Sequence, residues 1–156
     1  MAIASRVKWY LESNHFDYEE MGHVHTWTSL QSAKAGKVFP EFVAKGVLLE
    51  DERGYVIAVL RASDHISLDA LQAELGRRFE LASEAELEIL FGDCETGAVP
   101  PVGIAYGIPI VVEESVLTLP TVYFEGGDHE DLVAMEGEEF ARLMADAKRC
   151  RFAHLH

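Results

Sequence analysis

Apolar residues recur with a helical step over the first dozen positions. Ile3, Val7, Tyr10 and Leu11 share one face and predict a helix over residues 3–13, stopped at Asn14. Phe16 to Met21 alternates weakly and predicts a short strand. His23 to Thr28 reads as a strand end or turn leading into a helix over Ser29–Ala35, closed by Gly36. The period then falls to two. Residues 42–49 and 55–60 are apolar runs of strand length, and Asp51–Gly54 joins them as a hairpin turn. Ser67 caps a helix through Leu68, Leu71 and Leu75 that ends at Gly76. Ser83 caps another that ends at Gly92, with Glu86 three residues on completing a capping box. Beyond a Gly- and Pro-rich loop over 93–109, strands are predicted at 108–112, 121–124 and 131–135, with a turn at 125–128. A final amphipathic helix runs over 137–150 through Phe140, Leu143 and Met144.

Hairpins and helices interleave without regular strand–helix–strand alternation. That order predicts an α+β fold: one domain over 1–156, with helices around a curved, mixed but mostly antiparallel sheet. A chain of 156 residues supplies one core and little more.

Charge narrows the function classes. Twenty-seven Asp and Glu against thirteen Lys and Arg give a formal net charge of −14. Such a surface repels a phosphate backbone, so a DNA-binding protein is not expected; a small local footprint on a nucleic acid end remains open. No apolar run approaches the roughly 18 residues of a membrane span. Arg6, Lys8 and Glu12 interrupt the N-terminal apolar residues, unlike a signal peptide. Cys94 and Cys150 match no zinc spacing and read as reduced thiols of a cytoplasmic protein.

Two features carry candidate chemistry. In Gly97-Ala98-Val99-Pro100-Pro101-Val102-Gly103, two prolines fix φ while the glycines let the backbone approach a ligand. The N–H groups of Ala98, Val102 and Gly103 are candidate donors to an anion or carbonyl oxygen. Lys45 stands in the otherwise apolar strand FVAKGVLL, where it must face solvent, find a partner or line a cleft. Taken singly, the loop reads as a surface connection and the lysine as part of a solvated strand face.

Together they resemble the YbaK/prolyl-tRNA-synthetase-associated domain family, over essentially the whole chain. The likeness rests on Lys45 before GVLLE, then LDALQAEL, EAELEIL, GAVPPVG, IPIVVEESVL and VYFEGGDHEDLVAM. It implies a metal- and cofactor-free editing domain that hydrolyses the ester joining a wrong amino acid to a tRNA 3′ end. The expected substrate is a small amino acid on tRNA(Pro) or a related tRNA. Implied partners are that 3′ end and, as a delivering protein, an aminoacyl-tRNA synthetase. The resemblance assigns Lys45 to substrate orientation and places Gly97, Pro101 and Gly103 at the 3′ adenosine or ester carbonyl. Catalytic roles are therefore expected of Lys45 and Gly103. Substrate contacts are expected of Gly97, Ala98, Pro100, Pro101, Val102, His23, His25 and His129. Water activated near the ribose hydroxyl is the expected attacker. The chain departs from the family where Pro100-Pro101-Val102 replaces one proline and an aromatic residue, and where Asp93 and Glu95 add negative charge.

Other readings compete. A non-catalytic nucleotide- or aminoacyl-binding module would keep the pocket without turnover. His23 and His25, with His65 or His129, have a spacing that a metal hydrolase would use. His129 suits a general base near neutral pH, against a plain reading as a turn histidine. Cys94 is a poor nucleophile, because Asp93 and Glu95 disfavour its thiolate. Ser63, Asp64, His65 and Ser67 are too close in sequence to form a triad. Trp9 and Trp27 read as core or rim residues rather than nucleic-acid stackers, because nothing basic surrounds them.

Overall fold

The computed structural model describes residues 3–95 and 98–155. Its elements follow the order α1 (Ser5–Ser13), β1 (Glu19–Gly22), α2 (Ser29–Ala35), β2 (Val43–Asp51), β3 (Gly54–Arg61), β4 (Asp64–Ile66), α3 (Leu68–Leu75) and β5 (Glu80–Leu81). Then come α4 (Glu84–Leu90), β6 (Ile110–Glu113), β7 (Thr121–Glu125), β8 (Asp131–Glu136), α5 (Gly137–Leu143), β9 (Lys148–Cys150) and β10 (Ala153–Leu155). The fold is α+β. None of the described helices is long and apolar enough to cross a membrane.

Local chemistry explains the helix ends. Thr28 caps α2 by accepting from the Gln31 N–H, and Ser67 caps α3 by accepting from the Ala70 N–H. Gly76 ends α3 in the left-handed region at φ 66°, where a side chain would be strained. Ser83 and Glu86 form the reciprocal capping box of α4.

An eight-stranded mixed sheet runs β1-β8-β7-β2-β3-β6-β9, with β5 added beside β2. The β2–β3 hairpin is antiparallel, whereas β2–β7, β3–β6 and β6–β9 are parallel. Strands at the centre are apolar on both sides because both faces are covered. Ala44, Leu48, Ile57 and Val59 join one cluster with Val7, Leu11, Phe124 and Phe140. Leu49, Val56, Ala58 and Leu60 join the other with Leu71, Phe79 and Phe152.

Two sequence expectations shift. The last helix stops at Leu143, and Lys148–Cys150 instead pairs in parallel with β6, whose edge would otherwise leave backbone groups without partners. The strand expected at 16–21 lies at 19–22, because Phe16 folds under α1 and stacks on Tyr10.

The feature that positions the site is a split in the sheet. Along one edge, β2 pairs with β3 over its whole length. Along the other, β7 pairs at residues 43–44 and β5 at 49–50, and no described strand covers the interval. The Val43 carbonyl accepts from Ala62 N, toward β3, while the Leu48 carbonyl accepts from Ala82 N, on the other edge. Backbone direction alternates along a strand, so the N–H and C=O of Gly46 face the gap.

Candidate functional site

The Pro-rich loop closes the split from below. A Cβ on Gly46 would lie 3.2 Å from the Val99 carbonyl oxygen and 3.3 Å from Val99 Cγ1, so a glycine there admits the loop. Residues 98–103 are buried throughout. Of the three expected donors, Ala98 is already engaged within the chain. The Ala98 N–H donates to the Glu95 carbonyl at 3.0 Å, and Val102 is fully buried in the main core. Gly103 opens a short 3-10 helix over Gly103–Tyr106; a Cβ on it would meet the Ile108 carbonyl oxygen at 2.7 Å. Its glycine therefore serves packing. Pro100 and Pro101 are buried with the rest of the loop, and Gly97 lies outside the described residues.

Lys45 occupies the opposite face of β2 from Gly46 and Val99, because successive side chains alternate. It is half-buried, and its ammonium donates to the Asp64 carbonyl at 2.7 Å. Burial holds its pKa below the ordinary lysine value, opposed by the Asp64 carboxylate. The last β2–β7 pair is Ala44 with Phe124, so the next residues on the two strands are Lys45 and Glu125. Register therefore runs the backbone of Lys45 beside that of Glu125, where the turn after β7 begins.

That turn, residues 125–131, holds the densest polar cluster. His129 is fully buried at φ 55°, and its Nδ1 lies 3.4 Å from the equally buried Glu125 Oε1. Tight packing shapes the turn: a Cβ on Gly126 would strike Ile3 Cγ2 at 2.3 Å, and Gly127 has φ 121°. Asp128 Oδ1 accepts from the N–H groups of Glu130 and Asp131. Burial pushes the Asp131 carboxyl up to about 6, with the Asp128 hydrogen bond and charge adding to it.

The segment before α2 forms the opposite wall. Thr26 N donates to the His129 carbonyl at 3.1 Å, and Thr26 Oγ1 meets Ser32 Oγ at 2.6 Å. His25 Nε2 lies 2.6 Å from Glu95 Oε2, and its ring centroid lies 6.2 Å from that of His129. The structure therefore gathers His25 and His129 around Glu95 and Glu125. His23 departs from the expected pairing with His25: residues 23–26 are not a strand, and His23 Nδ1 turns to the Val24 carbonyl at 2.6 Å.

The competing motifs disperse. His65 lies across from His154 on the separate β4–β10 sheet, with ring centroids 5.7 Å apart. Among the described residues no group of three or more His, Cys, Asp or Glu side chains is placed to hold a metal ion. Burial pushes the Cys94 thiol up to about 12; the Tyr106 hydroxyl opposes that shift and the Asp93 charge adds to it. The Asp64 carboxylate takes the Arg61 guanidinium at 2.9 Å. Sequence reasoning missed Gly46 and Glu125 and treated Glu95 as unfavourable charge alone. The one legible signal was the carboxylate that ends the apolar strand TVYFE before Gly-Gly.

Comparison with protein families finds that the family described as aminoacyl-tRNA editing domain matches residues 23–143. No curated protein matches. Solved structures share the fold. One is that of a candidate trans-editing enzyme for prolyl tRNA synthetase, 24% identical, with TM-score 0.81, 97% of this chain and 96% of that one covered. Another, a candidate signal transduction protein from Marinobacter aquaeolei VT8, is 26% identical with TM-score 0.77. There the match covers 95% of this chain but 30% of that longer one.

Proposed function

The chain belongs to the aminoacyl-tRNA editing domain family, and from that premise we propose that it hydrolyses the ester of mischarged tRNA. The substrate is a small amino acid on tRNA(Pro) or a related tRNA, and the reaction occurs in trans. The kinship in fold with a candidate trans-editing enzyme for prolyl tRNA synthetase supports the choice of tRNA. Editing of this kind answers a limit of synthetase pockets, which separate side chains differing by one methylene by only about 1–3 kcal/mol.

The observation that carries the reading is the buried His129–Glu125 pair, next to which β2 runs with Lys45 one residue beyond the last β2–β7 partner. Burying two ionisable groups costs stability unless they are paired, so such pairs concentrate at working sites. In the proposed step, the His129 imidazole takes a proton from the attacking water, and Glu125 orients that ring. The water oxygen bonds to the ester carbonyl carbon, giving a tetrahedral oxyanion. The Lys45 ammonium and the Gly46 N–H at the split offset its charge. The carbon–oxygen bond to the ribose then breaks, and the proton returns from His129 to the ribose oxygen. Products are the free amino acid and uncharged tRNA.

A net charge of −14 opposes unaided tRNA binding, which favours delivery by a synthetase in the cytoplasm. The same charge favours a second reading, a binding module without turnover. Deacylation of alanyl- and cysteinyl-tRNA(Pro) by wild type and Lys45→Ala tests both. A loss of tenfold or more in the variant, with its circular dichroism unchanged, is expected. Full activity in the folded variant refutes the assignment, and tRNA binding without turnover in the wild type leaves the binding module.

A further inference from the structure

The segment that flanks the His25–His129 cluster departs from the chain's overall charge. Residues 23–40 contain Lys34, Lys37 and three histidine or tryptophan side chains, but no Asp or Glu, in a chain that carries 27 carboxylates. This stretch is α2 and its flanks. Its inner side is fixed: Ala33 packs with Val43 and Ala62, and a Cβ on Gly36 would lie 3.0 Å from Leu132 Cδ1. Its outer side is exposed. Trp27 is 71% exposed, with Leu30, Gln31 and Lys34 exposed beyond it at helical spacing and Lys37 exposed just past the helix end. An indole so exposed gains nothing from core burial.

Trp27 is nonetheless held in place. Its backbone N–H donates to Gln31 Oε1 at 3.0 Å, and its ring meets His25 edge-on with centroids 4.6 Å apart. His25 in turn neighbours His129. A flat aromatic surface thus stands beside the His25–His129 cluster, followed in sequence by two exposed lysines. Glu95, the acidic group nearest His25, is engaged with that histidine.

We infer that the outer side of α2 docks the single-stranded 3′ end of the tRNA. A terminal base stacks on Trp27, and Lys34 and Lys37 meet the phosphates behind it. The inference rests on the editing reading and supplies what the acidic surface otherwise lacks, a local anion-tolerant path into the pocket. Stacking on an exposed aromatic accepts any base, while lysine contacts confer salt dependence.

The test uses a labelled, uncharged RNA hairpin with a four-nucleotide 3′ tail, against a blunt hairpin, followed by fluorescence anisotropy. Tail-dependent binding is expected, weakened about tenfold by Trp27→Ala. The Lys34→Gln/Lys37→Gln variant is expected to flatten the dependence of log K on log salt by about one unit. In a Trp9→Phe background, the remaining indole fluorescence should be quenched by the tailed hairpin alone. Equal affinity of wild type and Trp27→Ala, or equal binding of blunt and tailed RNA, overturns the inference and leaves the face to a protein partner. Because the readout is binding, tail-dependent quenching in a protein without turnover would uphold the docking face while the hydrolysis reading fails.

Discussion

Gly103→Ala separates packing from chemistry in the Pro-rich loop. The described glycines with positive φ are Gly54, Gly76, Gly107 and Gly127, so alanine at 103 meets no left-handed strain. The obstacle is space. The new methyl would sit 2.7 Å from the Ile108 carbonyl oxygen, 2.9 Å from Ile110 Cγ1 and 3.1 Å from Ile57 Cδ1. Comfortable contacts of this kind begin near 3.5 Å. The carbonyl cannot retreat freely, because the Ile108 N–H donates to the Gly103 carbonyl at 2.9 Å and closes the turn. Overpacking costs about 1–3 kcal/mol, and a backbone atom among the clashes puts this site near the upper end, about 2–3 kcal/mol. For a domain of this size that lowers Tm by roughly 4–12 °C. Gly46→Ala is the control. Its nearest contacts are 3.2 and 3.3 Å, which neighbours absorb by shifting a few tenths of an ångström. Its cost should stay below about 1 kcal/mol, since a less flexible unfolded chain offsets part of the strain. Urea unfolding followed by circular dichroism, at constant m, measures both. A Gly103→Ala protein as stable as wild type yet inactive would refute the packing account and restore a direct role in the reaction.

Two further outcomes follow from the titrating groups. Asp131 has a native pKa near 6 against an ordinary value of 3.8, so the native state binds its proton more readily than the unfolded chain. Stability from this group is present below about pH 4 and is lost as pH rises toward 6 and beyond. Asp131→Asn should therefore gain roughly 1–3 kcal/mol over wild type at pH 7 and little at pH 4, in urea titrations at the two pH values; an equal difference at both would contradict this. With its thiol pushed up to about 12, Cys94 should react with a disulfide reagent at pH 8 at least a hundredfold more slowly than free cysteine. Cys94→Ser should keep full deacylation, and loss of turnover would overturn the account of this residue.

Local signals in the chain were enough for the helices that carry their own caps. Ser67 with Gly76, and Ser83 with Glu86, mark their ends by hydrogen bonds made within a few residues. The β2–β3 hairpin was equally legible, because its strands are apolar on both faces and Asp51–Gly54 can only turn. The family followed from motifs spread along the chain and from Lys45 ahead of its apolar run.

Tertiary structure alone decided the rest, because those features depend on partners far away in sequence. β5, β9 and β10 are too short to declare themselves and form because edges of distant strands need hydrogen bonds. His129 looked like a turn histidine, yet Ile3 and Ala4, just ahead of α1, pack on its Gly126–Gly127 turn, and it is buried against Glu125. The loop 98–103 looked like a surface connection, yet Val99 and Val102 fill the main core. Composition shows which side chains can do chemistry. The split between β7 and β5 determines which of them meet, and that gap is a property of strand order, which no local pattern encodes.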